Sequence, residues 1–127
     1  MFKDSKAFSS FSVKDVPQAR KFYGETLGLD VQETTEGLAL NIEGGGEVFL
    51  YPKPNHEPAS FTVLNFPTEE IGAAVDQLTK RGVKFEHYDI PEIKTDERGI
   101  HRSDGAGPNI AWFKDPSGNI LSVLETS

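Results

Sequence analysis

Three histidines are the side chains of this 127-residue chain best suited to acid-base chemistry or metal binding. His56 lies in a proline-rich stretch and His101 in a polar one, so both are expected to be solvated or hydrogen-bonded. His87 ends a predicted strand that could border a cavity, and it is the one of the three histidines that could bind a ligand or act as a general base. The chain has no cysteine, which excludes disulfides, thiolate nucleophiles and cysteine-based zinc sites.

Two aromatic residues and one long polar stretch could contribute to a binding site. Trp112 and Tyr51 could stack on a flat ligand, and ordinary core or interface positions are the alternative for both. Residues 88–108 form a stretch too long for an ordinary connection, which could act as a lid over a pocket. Arg98 and Arg102 within it could then clamp an anionic ligand.

Other sequence motifs predict no chemistry. Gly44-Gly45-Gly46 lacks the following Lys-Ser/Thr and helix of a phosphate loop, so it predicts a hairpin turn. The sequence contains no Gly-x-Ser-x-Gly motif that would place a nucleophile on a strand-to-helix turn.

The composition predicts a folded acidic domain. Hydrophobic residues make up 36% and charged residues 26% of the chain, and the formal net charge is -7. The acidic balance argues against nucleic acid as a partner, because phosphate binding needs a basic patch. No apolar run approaches the roughly 20 residues of a membrane span, so we expect no membrane association and a cytoplasmic location.

The first half of the chain predicts a strand, a helix and a meander. Residues 7–14 alternate as a strand, with Phe11 and Val13 on one face. Asp15-Val-Pro-Gln18 predicts the start of a helix with an apolar stripe, which Gly28 would end. Three further strands are predicted at residues 29–35, 38–43 and 47–51.

The second half predicts a similar order of elements. A strand is predicted at residues 61–68, followed by a helix that Thr68-Glu69-Glu70 would cap and Gly82 would end. The remaining predicted strands span residues 83–87, 109–114 and 119–124, and Asp115-Pro-Ser-Gly118 forms the turn between the last two.

The duplicated βαβββ order carries specific motifs, which are Val13-x-Asp15, Phe22-Tyr23, Leu27-Gly28 and Asp115-Pro116-x-Gly118-Asn119. In these motifs and this order the chain resembles the vicinal oxygen chelate superfamily, which includes glyoxalase I, bleomycin-resistance proteins, fosfomycin-modifying enzymes and extradiol dioxygenases. The resemblance implies an α+β fold in which two βαβββ modules form a curved mixed sheet around a cavity. It divides a single domain, residues 1–127, into module one (about 7–52), a linker (53–58) and module two (about 59–125).

The resemblance also implies positions for metal ligands, a histidine on the first strand and an acid on the last strand of each module. In this sequence the histidine positions fall on Phe8 and Val63, and the acidic positions on Ser122 and Val48, with Glu47 or Glu125 in question if the register slips by one residue. None of the four residues is a usual metal ligand, so we expect no metal site and no cofactor. The cavity is then expected to be largely apolar, with candidate ligand-binding residues Phe8, Ser10, Val48, Leu50, Val63, Asn65, Trp112 and Ser122.

Three functions remain open from the sequence. The first is metal-independent binding of a small, partly apolar molecule, as in bleomycin-resistance proteins, by a homodimer. The alternative is a lyase, isomerase or dioxygenase of the same superfamily, with an unusual metal site or an acid-base pair such as His87 with Tyr88. The third is a module for protein partnering, which a large exposed apolar patch would favour.

Overall fold

The first half of the chain forms one four-stranded sheet with a helix. The structure is a computed structural model that describes residues 1–103, 105 and 107–125. It divides the chain into two compact units, the second of which begins at Pro58. The elements of the first unit are β1 (Ser9–Val13), α1 (Val16–Lys21) with a π-helical continuation (Phe22–Thr26), β2 (Asp30–Glu33), β3 (Leu38–Ile42) and β4 (Gly46–Pro52).

Strand order in the first sheet is β1-β4-β3-β2, with β1 parallel to β4 and the other pairs antiparallel. The predicted helix start is confirmed, because the Asp15 side chain accepts a hydrogen bond from the Gln18 backbone N–H at 3.0 Å. One face of the sheet packs on the helix, where the Phe11 and Tyr23 rings lie 6.5 Å apart. Tyr23 and Val13 are fully buried there.

The second unit repeats the order with an inserted hairpin. Its elements are β5 (Thr62–Thr68), α2 (Ile71–Lys80), β6 (Asp89–Ile90), β7 (Ile93–Lys94), β8 (Ile100–His101), β9 (Asn109–Lys114) and β10 (Ile120–Glu125). The four-stranded sheet has the order β5-β10-β9-β8, and β6 pairs only with β7. The α+β class and the two similar modules predicted from the sequence are therefore confirmed, whereas the single domain and its linker stay predictions.

The strand predicted over residues 83–87 is wrong. Phe85 forms a single bridge to Phe113, and the Glu86 backbone N–H donates to the Trp112 carbonyl at 2.8 Å. The chain then leaves the sheet for the β6–β7 hairpin and returns as β8, which pairs with β9 at Ile110 and Ala111. The chain around Phe85 and strand β8 thus pair with the same edge of β9, which explains why neither forms a long strand.

The N-terminus of α2 is capped from a distant part of the chain. The predicted local cap is wrong, since within the described residues the Glu70 side chain at the N-cap makes no capping hydrogen bond. Instead Glu125 at the end of β10 accepts from the Ile71 backbone N–H at 2.9 Å, and its other oxygen accepts from the Asn109 side chain at 2.9 Å. Among the described residues no helix is long and apolar enough to cross a membrane.

The Glu125 cap predicts a pH-dependent stability. Hydrogen bonds from the Ile71 N–H and then from Asn109 lower the pKa of Glu125 below its usual value of 4.5. Because the folded-state pKa is the lower one, the carboxylate stabilises the fold above pH 4.5 and loses that contribution as the pH falls through the folded value. We expect Glu125→Gln to melt at a lower temperature than the native chain at pH 7. This difference in melting temperature should disappear below pH 4. Thermal melts across pH 3 to 7 measure this.

The control for the Glu125 experiment is Glu92→Gln, because Glu92 is exposed in the hairpin turn of the same unit. Its melting temperature should follow that of the native chain at every pH. If the difference in melting temperature between Glu125→Gln and the native chain stays constant from pH 7 to pH 3, the charge of Glu125 does not contribute to the cap.

Candidate functional site

The second sheet has two chemically different faces. Side chains that alternate on β9 and β10 place Phe113, Leu121 and Val123 on the side of α2, where they are buried. The opposite side is called the Trp112 face, and strand register places on it Thr62, Asn65, Pro67, Ile110, Trp112, Lys114, Ile120, Ser122 and Leu124. Apart from Lys114, which forms an ion pair with Glu86, this face combines apolar surface with neutral polar groups, which is the composition of small-molecule sites.

Trp112 is held between two partners on this face. The Tyr88 ring meets the indole edge-on, with ring centroids 5.5 Å apart and planes at 81°. On the other side the indole Nε1–H donates to the Thr62 hydroxyl at 3.2 Å. Thr62 is on β5, and β10 separates β5 from β9, so the indole extends across β10. Trp112 remains half-buried, which leaves indole surface for a ligand.

Tyr88 is kept in its neutral form. Burial raises the pKa of the Tyr88 hydroxyl, the nearby Glu86 carboxylate raises it further, and Lys114 opposes the shift. Glu86 and Lys114 form an ion pair at 3.5 Å. Tyr88 therefore offers the Trp112 face an uncharged hydroxyl at neutral pH.

Asn65 and Ser122 form a hydrogen-bonded pair beside Trp112. They are opposite each other on the parallel strands β5 and β10, and Ser122 is in turn opposite Trp112 on β9. The Ser122 hydroxyl donates to the Asn65 side-chain oxygen at 2.5 Å. Ser122 is fully buried while Asn65 is exposed. The structure thus brings together three of the predicted site residues, Asn65, Trp112 and Ser122.

The predicted site residues of the first sheet do not share one face. Val48 pairs with Ser9 and with Leu40, and Leu50 pairs with Phe11, which places both on the buried side next to the helix. Val48 and Leu50 thus lie on the opposite face of the sheet from Ser10, and a ligand-binding role for these three residues stays a prediction. The residues that do share the Ser10 face are Ser12, Ala39, Asn41, Glu47, Phe49 and Tyr51.

The remaining predicted positions lie at strand ends or irregularities. Phe8 precedes β1 and is 62% exposed. Val63 is half-buried at a bulge, because the register of β5 against β10 shifts between Thr62 and Leu64. A ligand-binding role for either residue stays a prediction.

The three histidines have separate environments. The His56 ring lies 2.6 Å from the Ser12 hydroxyl, and the His101 ring lies 3.1 Å from the Lys94 carbonyl oxygen. His87 is exposed and lines a cavity of about 470 Å³ on the α2 side of the second unit. Tyr88 instead contacts Trp112, so the structure does not bring His87 and Tyr88 together as an acid-base pair.

The predicted lid is structured over its described part. Asp96 accepts from the backbone N–H groups of Arg98 and Ile100, both at 2.9 Å, which makes a tight turn before β8. From this turn the Arg98 guanidinium reaches α2 and donates to the Gly72 carbonyl at 2.6 Å and to Asp76 at 2.8 Å. The Arg98 contacts attach the segment to the helix, and a role as a lid or anion clamp stays a prediction.

Metal ligands are not clustered in the part of the chain that the structure describes: no three His, Asp or Glu side chains there could hold one ion together. Glu47 is exposed on the Ser10 face, and Glu125 is on the α2 side of the second sheet, where it caps the helix. Neither carboxylate therefore joins a histidine in a set of metal ligands.

Sequence reasoning missed three partners of this site. The sequence did not predict that Thr62 would bond Trp112 or that Ser122 would orient Asn65, and it suggested Tyr88 only as a possible acid-base partner of His87. The only available signal was that Asn65 and Ser122 are polar residues on otherwise apolar strands. Such residues usually have hydrogen-bond partners when buried.

Comparisons with known proteins agree with the fold. The Glyoxalase/Bleomycin resistance protein/Dioxygenase superfamily model matches residues 8–123. No curated protein matches the sequence. Among solved structures, an antibiotic binding protein from a Streptomyces species is 27% identical, with 95% of this chain and 96% of that chain covered and a TM-score of 0.65.

Two other solved structures share the fold at lower identity. A glyoxalase family protein from Enterococcus faecalis is 21% identical, covering 98% of this chain and 100% of its own, with a TM-score of 0.66. A genomically encoded fosfomycin resistance protein from Listeria monocytogenes is 12% identical, with 95% and 92% covered and a TM-score of 0.69. The match over residues 8–123 and this shared fold show that the chain belongs to the Glyoxalase/Bleomycin resistance protein/Dioxygenase superfamily.

Proposed function

We propose that this protein binds a small, planar, partly apolar molecule on the Trp112 face, through contacts that need no metal ion. The observation that carries the proposal is the half-buried indole of Trp112, fixed by Tyr88 and Thr62 beside the neutral Asn65–Ser122 pair. A rigid aromatic surface with a few placed polar groups favours binding over the polarisation of an oxyanion.

The residues at the ligand positions implied by the family support a metal-independent site. Phe8 and Val63 have no lone pairs to offer a metal, and the hydroxyl of Ser122 donates its hydrogen to Asn65. A neutral hydroxyl is also a weaker ligand for a divalent metal than a carboxylate.

The relatives support small-molecule binding as the general activity. One structure with 27% identity is an antibiotic binding protein, and another with the same fold is a fosfomycin resistance protein. An uncharged aromatic ligand also suits an acidic chain with a net charge of -7, which would repel anions. The homodimer and the cytoplasmic location remain predictions from the sequence.

Trp112 is the single tryptophan of the chain, so its fluorescence reports directly on this face. We expect the planar bicyclic compounds naphthalene and coumarin to change the fluorescence saturably, and EDTA to leave the affinities unchanged. Replacing Trp112 with alanine should weaken binding of both compounds about tenfold in calorimetric titrations, because stacking on a large aromatic surface is lost.

The matched control is Phe2→Ala, which removes an aromatic ring that is 79% exposed near the N-terminus. It should bind both compounds as the native chain does. The proposal would be overturned if neither compound bound saturably. Metal independence would be overturned if EDTA abolished binding and added zinc or manganese restored it.

A further inference from the structure

We infer that Asn65 is a specificity-determining hydrogen-bond donor on the Trp112 face, and that the ligand therefore carries an uncharged acceptor, such as a carbonyl oxygen or ring nitrogen, at the edge of its aromatic system. This inference rests on the proposed function and adds a chemical class to the ligand. It gives Ser122 the role of a positioning residue.

The orientation of the Asn65 amide is set by a buried neighbour. Ser122 is fully buried, and its hydroxyl donates to the Asn65 oxygen at 2.5 Å. A side-chain amide has one acceptor end and one donor end, so fixing the oxygen also fixes the NH2 group. Ser122 therefore turns the donor end of the amide away from itself.

The donor end of Asn65 is available for a ligand. Asn65 is exposed, and no residue in the described part of the chain accepts a hydrogen bond from its NH2 group. An amide that is oriented in advance loses little freedom when a ligand binds, so its hydrogen bond adds to selectivity more than that of a mobile side chain.

The distance between Asn65 and Trp112 suits a small aromatic ligand. Asn65, Ser122 and Trp112 are in one row across three neighbouring strands, so the backbones of Asn65 and Trp112 are about 10 Å apart. The indole extends across this gap toward Thr62 on the Asn65 strand. A ring that stacks on the indole would thus bring its edge toward the Asn65 amide.

The charges near this face favour an uncharged acceptor over an anionic one. Lys114 lies on this face by register and is paired with Glu86 at 3.5 Å, so its charge is already balanced within the protein. Asn65, Ser122 and Thr62 are themselves neutral. An anionic group beside Asn65 would give up part of its hydration while Lys114 is already paired with Glu86, which is unfavourable.

Two bicyclic probes of similar size test the inference. Coumarin carries a lactone carbonyl, whereas naphthalene has no polar atom, and both can be titrated calorimetrically into the full chain. In the native protein the ratio of the naphthalene Kd to the coumarin Kd should exceed the ratio in Asn65→Leu by about three- to tenfold, the typical effect of one neutral hydrogen bond.

A second variant keeps the test valid if Asn65→Leu misfolds. Asn65→Asp keeps the shape and can still accept from Ser122, but it replaces the donor with an anionic acceptor that repels a carbonyl oxygen. It should lower the ratio at least as far as Asn65→Leu. Ser122→Ala frees the amide to rotate and should give an intermediate ratio. The control is Asn55→Leu, the same chemical change at an exposed turn position, which should keep the native ratio.

The two possible failures are distinguishable. If both probes bind the native chain but Asn65→Leu and Asn65→Asp keep the native ratio, the role of Asn65 is overturned and the proposed function stands. If neither probe binds the native chain, the proposed function is overturned and the inference with it.

Discussion

Replacing Gly37 with alanine will lower the free energy of unfolding by at least about 3 kcal/mol, because the new methyl group has no space. A Cβ atom at this buried position would lie 2.0 Å from the Leu50 carbonyl oxygen and 3.1 Å from the Tyr51 Cα, both backbone atoms of β4. Such a contact cannot be relieved by turning a side chain. Urea denaturation of the native and variant chains measures the loss.

The turn that contains Gly37 cannot move away from β4 without losing its own hydrogen bonds. The Thr34 hydroxyl accepts from the Gly37 N–H at 3.0 Å, and the Thr34 N–H donates to the Gly37 carbonyl at 2.8 Å. Directly after Gly37, Leu38 pairs with Leu50 at the start of the β3–β4 ladder. Relief of the contact would therefore break either the turn or the first pair of the ladder.

Gly44→Ala is the matched control. Gly44 has a φ of +87°, and a Cβ atom there would meet nothing within 4 Å. Its alanine variant carries only the cost of a left-handed backbone, about 1 kcal/mol. Equal losses for the two variants would show that the contact with Leu50 is relieved at little cost.

The local elements of this fold could be predicted from the sequence because their signals are local. The strand predicted at residues 109–114 is β9 with the same bounds, and the predicted Asp15 cap is present. The alternating pattern of β9 and the Asp-x-Pro-Gln start of α1 each depend on residues within a few positions. Neither required knowledge of a distant neighbour.

The sequence could not show which face of β4 is buried, because both of its faces carry large apolar residues. Val48 and Leu50 alternate with Phe49 and Tyr51, so the pattern gives two sets without showing which one is buried. The pairing of Leu50 with Phe11 and Leu38 decides it, and that pairing joins residues from three strands. The sequence alone could therefore not show that Val48 and Leu50 lie on the opposite face from Ser10.

The candidate site depends on contacts between residues far apart in sequence. Ser122 and Asn65 are 57 positions apart, Trp112 and Thr62 are 50 apart, and Glu125 caps α2 across 54 positions. The sequence indicated that Asn65, Trp112 and Ser122 are candidates, but not that they form one row. Only the register of β10 with both β5 and β9 places them there.

Replacing Asp115 with alanine should lower the free energy of unfolding by about 3 kcal/mol, through the loss of several buried hydrogen bonds at once. Asp115 is 4% exposed in the turn between β9 and β10. One carboxylate oxygen accepts from the backbone N–H groups of Ser117 and Asn119, and the other accepts from the Asn119 side chain, all at 2.9 Å. Differential scanning calorimetry should show a melting temperature about 10 °C lower.

Asn119 makes the effect larger than that of an ordinary turn residue. Asn119 is 2% exposed. The N–H groups that lose the Asp115 carboxylate as their acceptor therefore cannot bond to water instead unless the turn opens. Asp4→Ala, the same change at an exposed turn near the N-terminus, is the control and should stay within about 0.5 kcal/mol of the native chain.

Asp115→Asn separates the geometry of the turn from its hydrogen bonds. The amide oxygen can still accept from the two backbone N–H groups, but its NH2 group would face the NH2 group of Asn119. We therefore expect a stability between those of the native chain and Asp115→Ala. Because β9 and β10 carry Trp112 and Ser122, loosening this turn should also weaken coumarin binding. A stability of Asp115→Ala equal to that of Asp4→Ala would contradict the assigned role of the carboxylate.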